Sequence, residues 1–401
     1  MKKKYRIDLT PDLAQKFLGK VTKCGKYRVT EEQRKKINEY KAEHGTKQQK
    51  VQAKRQLEPI QGHESKQANS PYYWDKSDKK YSFFVKNPNF KDEQEDSILK
   101  KFEEIVERHK GEKRTIKTSE KAIKKALKAT TSDDHVGLDP NPKNNSLFQF
   151  EYNGSIYKNS MDKVFKSIVK EYDTHGKFDM VLLDNLGDEQ DGWNGFTTRG
   201  GHELDQNMSN EEVFDVCVDA KVNMIRNIAE AGITDKIIIR KCANDNHSGD
   251  FGHIINKAVT KIINMIYDSE FVKVETLTRF MEHRTYGDHA FILTHGKDKE
   301  KMFKGLPLIL NDKTIEFVNS YIDFYNIKQQ YIHLEKGDLH QLGYQKARKF
   351  DYRNFMSFAP PSAWVQHNFG PAYSGYSIQV IPKHNNEISH TDYFLDYTKK
   401  I

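Results

Sequence analysis

A mixed α/β fold is what this 401-residue sequence predicts, and three observations predict it. Apolar runs of strand length recur along the last two thirds of the chain. Segments of helical periodicity lie between them. Five short polar signatures occur in the same region, four of them directly after such a run, as expected where loops gather at the carboxyl ends of the strands of an open sheet.

In chain order, residues 1–128 form a basic, mainly helical accessory region. They hold 34 Lys and Arg against 19 Asp and Glu, a net of +15, whereas 129–401 hold 31 against 38, a net of −7. Sign asymmetry of this kind points to nucleic acid as the partner of the basic part. Glu31 to Glu43 has a helical pattern, with Thr30 and Gln33 as a capping box at its start, and a helix-turn-helix is one candidate for residues 1–45. Residues 46–69 are polar, Gln-rich and almost without large apolar groups, which describes a linker. Tyr72, Tyr73, Trp74, Tyr81, Phe83 and Phe84 follow, interleaved with Lys76, Lys79, Lys80 and Lys86. Such rings stack bases while the cations track phosphates, or, in their more ordinary use, fill a small hairpin core. Asp92 to Lys110 places Ile98, Phe102, Ile105 and Val106 on one helical face. Lys113, Arg114, Lys117, Lys121, Lys124, Lys125 and Lys128 come next, either a solvated face or a guide for a polyanion.

The second region, 129–401, begins at the end of the run Ala126 to Thr131, which leads into Asp133-Asp134-His135-Val136-Gly137. Ser146 to Tyr157 has the pattern of a hairpin around Asn153-Gly154, and Ser160 to Tyr172 that of a helix. Met180 to Leu183 suits a parallel strand buried on both faces and precedes Gly187-Asp188-Glu189-Gln190-Asp191-Gly192. In the loop Thr197 to Glu203, paired glycines permit close backbone approach. There Arg199 either grips a phosphate through its two-pronged guanidinium or is merely solvated, and His202 is a second candidate substrate contact. Asn210 to Glu230 is a helix ending at Gly232. Ile237 to Ile239 is followed by Asn244-Asp245-Asn246-His247. Ile254 to Tyr267 is a helix whose isoleucines recur at core spacing. Ala290 to Thr294 ends in His295-Gly296, Lys313 to Tyr325 is helical, and Tyr331 to Leu334 precedes Gly337-Asp338-Leu339-His340.

Carboxylate, amide oxygen and imidazole suit Mn, Fe or Zn. Each signature alone is an ordinary turn or a packed histidine; their order and their shared position after strands imply one centre. Two ions about 3.5–4 Å apart would generate a nucleophile at neutral pH and neutralise the oxygens of a phosphorus centre.

The series D-x-H, G-D-x-x-D, N-H, lone His and G-x-x-H resembles the calcineurin-like metallophosphoesterase superfamily over residues 129 to 401, and most closely its phage-encoded nuclease-like members. The resemblance implies a four-layer αββα sandwich of two mixed sheets. It implies two divalent metal ions, manganese foremost with Fe, Zn or Mg as alternatives, and a bridging hydroxide as nucleophile. Asp133, His135 and His340 would hold one ion, Asn246 and His295 the other, and Asp188 would bridge. His247 would be the catalytic histidine, oriented by Asp191. The third motif lacks the family's leading Gly and has Ser248 in place of its trailing acid. The fifth has Asp338 where the family has a histidine, a hard oxygen ligand that shifts preference toward manganese. Arg353, Trp364, His367 and the stretch Ser357 to Ser362 resemble the family's late loop beside the site.

The expected activity is cleavage of DNA phosphodiesters. A nucleotide or phosphoprotein phosphatase, and a non-catalytic nucleic-acid-binding or structural protein with a degraded site, are the alternatives. No apolar run approaches the roughly 20 residues that span a bilayer. The basic start lacks the apolar core of a secretory signal. Cys24, Cys217 and Cys242 show no paired spacing, which suits a reducing compartment. A cytoplasmic protein is therefore expected, in the host cytoplasm if phage-encoded.

Overall fold

The computed structural model describes residues 4–9, 16–18, 25–44, 72–75, 83–86, 93–111, 114, 124–370 and 372–399. The chain divides into two compact units, Met1–Asp92 and Glu93–Ile401.

In the first unit, β1 (Lys4–Leu9) pairs antiparallel with β2 (Gly25–Thr30), with Lys4 opposite Thr30 and Leu9 opposite Gly25. Helix α1 (Glu31–His44) starts at the next residue, buries Ile37 and Asn38, and carries an i,i+4 pair between Lys36 and Glu32. Of the stretch 1–45, for which a helix-turn-helix was a candidate, residues 4–9 and 25–30 are thus paired strands and 31–44 a helix. β3 (Tyr72–Asp75) and β4 (Phe83–Lys86) of the aromatic segment pair antiparallel. The expected linker at 46–69 lies outside the described residues, as do Tyr81, Lys76, Lys79 and Lys80, and Lys113, Lys117 and Lys121 of the basic run.

The second unit contains two mixed sheets. Six strands run in the order β15 (Ser389–Leu395), β14 (Ser374–Pro382), β5 (Lys125–Thr131), β6 (Met180–Asn185), β7 (Ile237–Cys242), β8 (Val272–Leu277). β5 to β8 are parallel, and β14 joins β5 antiparallel. Five strands form the other sheet, β12 (Gly343–Lys346), β13 (Asp351–Asn354), β11 (Tyr331–Lys336), β10 (His289–Thr294), β9 (Glu282–Tyr286), with β10, β11 and β13 parallel.

Alternation along the strands assigns the layers. On β5, Leu127 and Ala129 belong to the large apolar core shared with the helices, while Ala126 faces the second sheet. On β10, Phe291 and Leu293 face the first sheet, and Ala290 and Ile292 turn the other way. The first helical layer contains α2 (Glu93–His109), α3 (Gly154–His175), α4 (Asn210–Glu230) and α5 (Gly249–Ile266), which supply Ile98, Val164, Phe214, Ile225, Ile255 and Ile262 to that core. Helix α6 (Asp312–Phe324) covers the outer face of the second sheet through Val318 and Ile322. These are the four αββα layers.

Two expectations are corrected. No hairpin forms at Ser146 to Tyr157, because Gly154 opens α3 and Asn153 is its N-cap, accepting the Ile156 N–H at 3.0 Å. Lys128 does not guide a polyanion. It is fully buried between the sheets, paired with Glu335, 3.8 Å from Asp184 and bonded to Gln379 at 2.8 Å. Arg114, of the same run, pairs with Glu230.

Candidate metal centre

The first two signatures run side by side in the loops after β5 and β6. Asp133 N–H donates to Gly187 O (3.0 Å), His135 N–H to Asp188 O (3.0 Å) and Val136 N–H to Glu189 O (2.8 Å), while Asp191 N–H returns to Val136 O (3.1 Å). The third signature is clipped to the second: Ser248 Oγ accepts the Gln190 N–H at 3.0 Å, and His247 N–H donates to Asp188 Oδ1 at 2.8 Å. Ser248, standing where the resembled family has an acid, thus joins two motif loops. The fifth signature reaches the first through Asp338 N–H to Asp133 Oδ2 at 3.1 Å.

This convergence strains the backbone. Nine non-glycine residues among those described have positive φ, and five belong to the signatures: Asp133, His135, Asp188, Asp338 and His340. Left-handed conformations are costly for such residues and persist where the surrounding structure enforces them. Gly187, at φ +104°, allows a close approach, since a Cβ there would lie 2.7 Å from the His295 ring. At Gly337 a Cβ would meet Ser132 Oγ and come within 3.0 Å of Asp133 Oδ2.

Three sets of donor atoms result, each with its members within 4.8 Å of one another: Asp133, His135 and His340; Asp133, Asp188 and His295; His135, Asp191 and His247. His135 Nδ1–H donates to Asp191 Oδ1 at 2.8 Å, which turns the Nε2 lone pair toward His340 Nε2, 3.2 Å away. Asp133 Oδ1, buried and without a hydrogen bond, lies 3.3 Å from the same His340 atom. His295 repeats the arrangement. Its Nδ1–H donates to Leu186 O at 2.9 Å, so Nε2 faces Asp188 Oδ2 at 3.1 Å and Asn246 Oδ1 at 3.0 Å.

A ring nitrogen between two oxygen acceptors calls for either a proton or a metal cation between them. Burial alone would raise the Asp188 carboxyl, but the His295 and His247 imidazoles hold it well below its usual range. Asp133 is likewise brought down to about 2 against its burial, chiefly by His340 and His295. Burial opposes a charge on His295 and His247, yet the Asp188 carboxylate raises them to about 10 and about 9. A divalent ion competes for the positions those protons hold, because its imidazole ligands must be deprotonated. In oxygen and nitrogen content, donor number and fixed tautomers, the residues fit divalent ions.

Asp191 anchors a second ring as well, with Oδ1 3.2 Å from His247 Nδ1. Only part of the His247 ring is covered, and it lines a cleft of about 780 Å³ together with His135, Asp188 and His340.

Two expected site residues behave differently. The Asp338 carboxylate joins none of the donor sets; it lies 3.7 Å from Lys297 Nζ and 4.0 Å from Lys336 Nζ. Arg199 is neither solvated nor open to a phosphate through its fork. Its guanidinium donates to Asp298 O (2.7 Å), Asp298 Oδ1 (2.8 Å) and Phe303 O (3.1 Å), while its N–H donates to Asn246 O (2.9 Å), tying the 298–303 strap to the third signature. His202 lines the cleft and takes no part in the donor sets. Of the late loop, Ser357 Oγ donates to Asp133 O at 2.9 Å and Trp364 borders the cleft, but Arg353 pairs with Asp392 of β15.

Sequence reasoning missed Glu189. Fully buried, it pairs with Lys221 of α4 (2.8 Å) and with Lys241 of β7, fixing the loop that carries Asp188 and Asp191. Its place between those two acids was the available signal.

No protein-family model and no curated protein matches the sequence. Among solved structures, the chain is similar to a novel archaeal phosphodiesterase, at 8% identity and TM-score 0.30, over 67% of this chain and 99% of that one. Vacuolar protein sorting 29 from Cryptosporidium parvum gives 11% identity and TM-score 0.28, over 68% and 100%. A predicted phosphoesterase from Streptococcus pneumoniae gives 12% and 0.25, over 68% and 100%. Likeness at this level assigns neither family nor activity.

Proposed function

We propose that this protein is a metal-dependent phosphoesterase that hydrolyses phosphodiester bonds of DNA with the help of two divalent ions, manganese foremost. One observation carries the reading: adjacent sets of carboxylates and imidazoles share Asp133, and His135 and His295 turn a free nitrogen inward because the other is engaged by Asp191 and by Leu186 O. Asp133, His135 and His340 would hold one ion, Asp188, Asn246 and His295 the other. When bound, such ions supply the nucleophile and neutralise charge on the phosphoryl group.

The chain's own residues do the rest. Asp188, accepting the His247 N–H, fixes the third loop against the second. His247 stands at the cleft surface with Nδ1 toward Asp191 and a pKa raised to about 9 by neighbouring carboxylates over the opposing effect of burial. Its place at the cleft surface suits it to hand a proton to a leaving oxygen. DNA as substrate is supported by the net of +15 on residues 1–128.

The test is hydrolysis of DNA by the full-length protein with manganese. Asp188→Asn should lose both metal and turnover, whereas His247→Ala should keep its metal and lose about 10²–10⁴-fold in rate. DNA affinity should fall steeply with salt, by about 0.9 log unit per log unit of salt for each duplex phosphate contacted. Full activity in His247→Ala would remove that residue from the reaction, and a flat salt response would remove DNA.

A further inference from the structure

The cleft has unlike walls. Lys297 and Lys301 line it just after His295, and among the described residues no carboxylate pairs with Lys301. Elsewhere it is bordered by Pro142, Leu339 and Trp364. Trp364 leaves 65% of its surface exposed, although it stands in a concave site beside the donor sets. Its backbone is held firmly. It lies on the short helix α7 (Ala363–Phe369), where Ser362 Oγ accepts the Val365 N–H at 3.2 Å. The buried side chain of Gln366 bonds Pro361 O at 3.0 Å and the Phe148 N–H at 2.7 Å.

An indole that exposes most of its surface and borders a cleft is a stacking platform for a flat apolar ring, and cations near a phosphoryl site favour an anionic ligand. Asp139, Glu203 and Asp205 also face the cleft, and they oppose a second phosphate there. The geometry points to a subsite for a single nucleotide: Trp364 stacks its base, and Lys301 with Lys297 neutralises its phosphate. This rests on the phosphodiesterase reading for the position of the phosphate, and it extends that reading from phosphate chemistry to recognition of a nucleobase.

Two esters with the same leaving group separate base recognition from catalysis. They are the p-nitrophenyl ester of thymidine 5′-phosphate and methyl p-nitrophenyl phosphate, each hydrolysed by the manganese-loaded full chain. Trp364→Ala should raise KM for the nucleotide ester about tenfold with kcat nearly unchanged, and Trp364→Phe should restore most of the loss. Neither substitution should alter the methyl ester's constants. Equal effects on both esters, or none on either, would overturn the subsite. If the parent hydrolyses neither ester, the phosphodiesterase reading falls, and calorimetric titration with thymidine 5′-monophosphate still judges the subsite. About tenfold weaker binding by Trp364→Ala upholds it, and unchanged binding overturns it.

Discussion

Asp191 brings one carboxylate oxygen to 2.8 Å from His135 Nδ1 and 3.2 Å from His247 Nδ1, so a single side chain sets the orientation of two rings that face the cleft. Burial would raise its pKa, but the hydrogen bond from His135 and the nearby His247 imidazole hold it at about 2, and it stays an anion throughout the neutral range. Removing that charge leaves the His135 ring with at best a neutral acceptor and weakens it as a ligand. Asp191→Asn should therefore lower manganese affinity by about 10–100-fold, as measured by calorimetric titration of the purified protein. Unchanged affinity would show that the carboxylate does not support the donor set. At this scale the sequence was informative because ligand residues sit in short signatures after strands. It was misleading at Asp338, whose side chain is drawn to Lys297 and Lys336, and at Arg199, whose partner Asp298 lies 99 residues away. No local spacing reveals a pairing across that distance.

Between the two sheets, the strands contribute charge where an apolar run suggested only core. Arg240 of β7 donates to Asp184 of β6 through Nε at 2.6 Å, Lys128 of β5 pairs with Glu335 of β11, and Arg353 of β13 pairs with Asp392 of β15. Removing one member of such a buried set strands the others. Lys128→Met should reduce the free energy of unfolding in urea by about 3–5 kcal/mol, and a loss below about 1 kcal/mol would show that Glu335 and Asp184 find other partners. The signal for burial was the place of Lys128 inside the strand-length run Ala126 to Thr131. It was obscured by six other cations nearby, which placed Lys128 in a basic run. Asn153-Gly154 misled in a similar way. The pair suits a hairpin turn and a helix start equally, and only the recurrence of Tyr157, Met161, Val164 and Ile168 on one face separates them.

Across the whole molecule, each unit has its own pairing, and charge is segregated along the chain, with +15 on residues 1–128 and −7 on 129–401. The αββα layering follows from strand alternation and helical periodicity, which is why it was legible, whereas the assignment of strands to one sheet or the other depends on contacts that no local pattern encodes. Among the described residues no helix is long and apolar enough to cross a membrane. Everything proposed for function depends on cations occupying the donor sets that five separated loops assemble. Anomalous diffraction from manganese-soaked crystals of the full chain tests this most directly. Two peaks about 3.5–4 Å apart, one among Asp133, His135 and His340 and the other among Asp188, Asn246 and His295, are predicted. Manganese bound elsewhere, or no peak within these sets, would contradict the account.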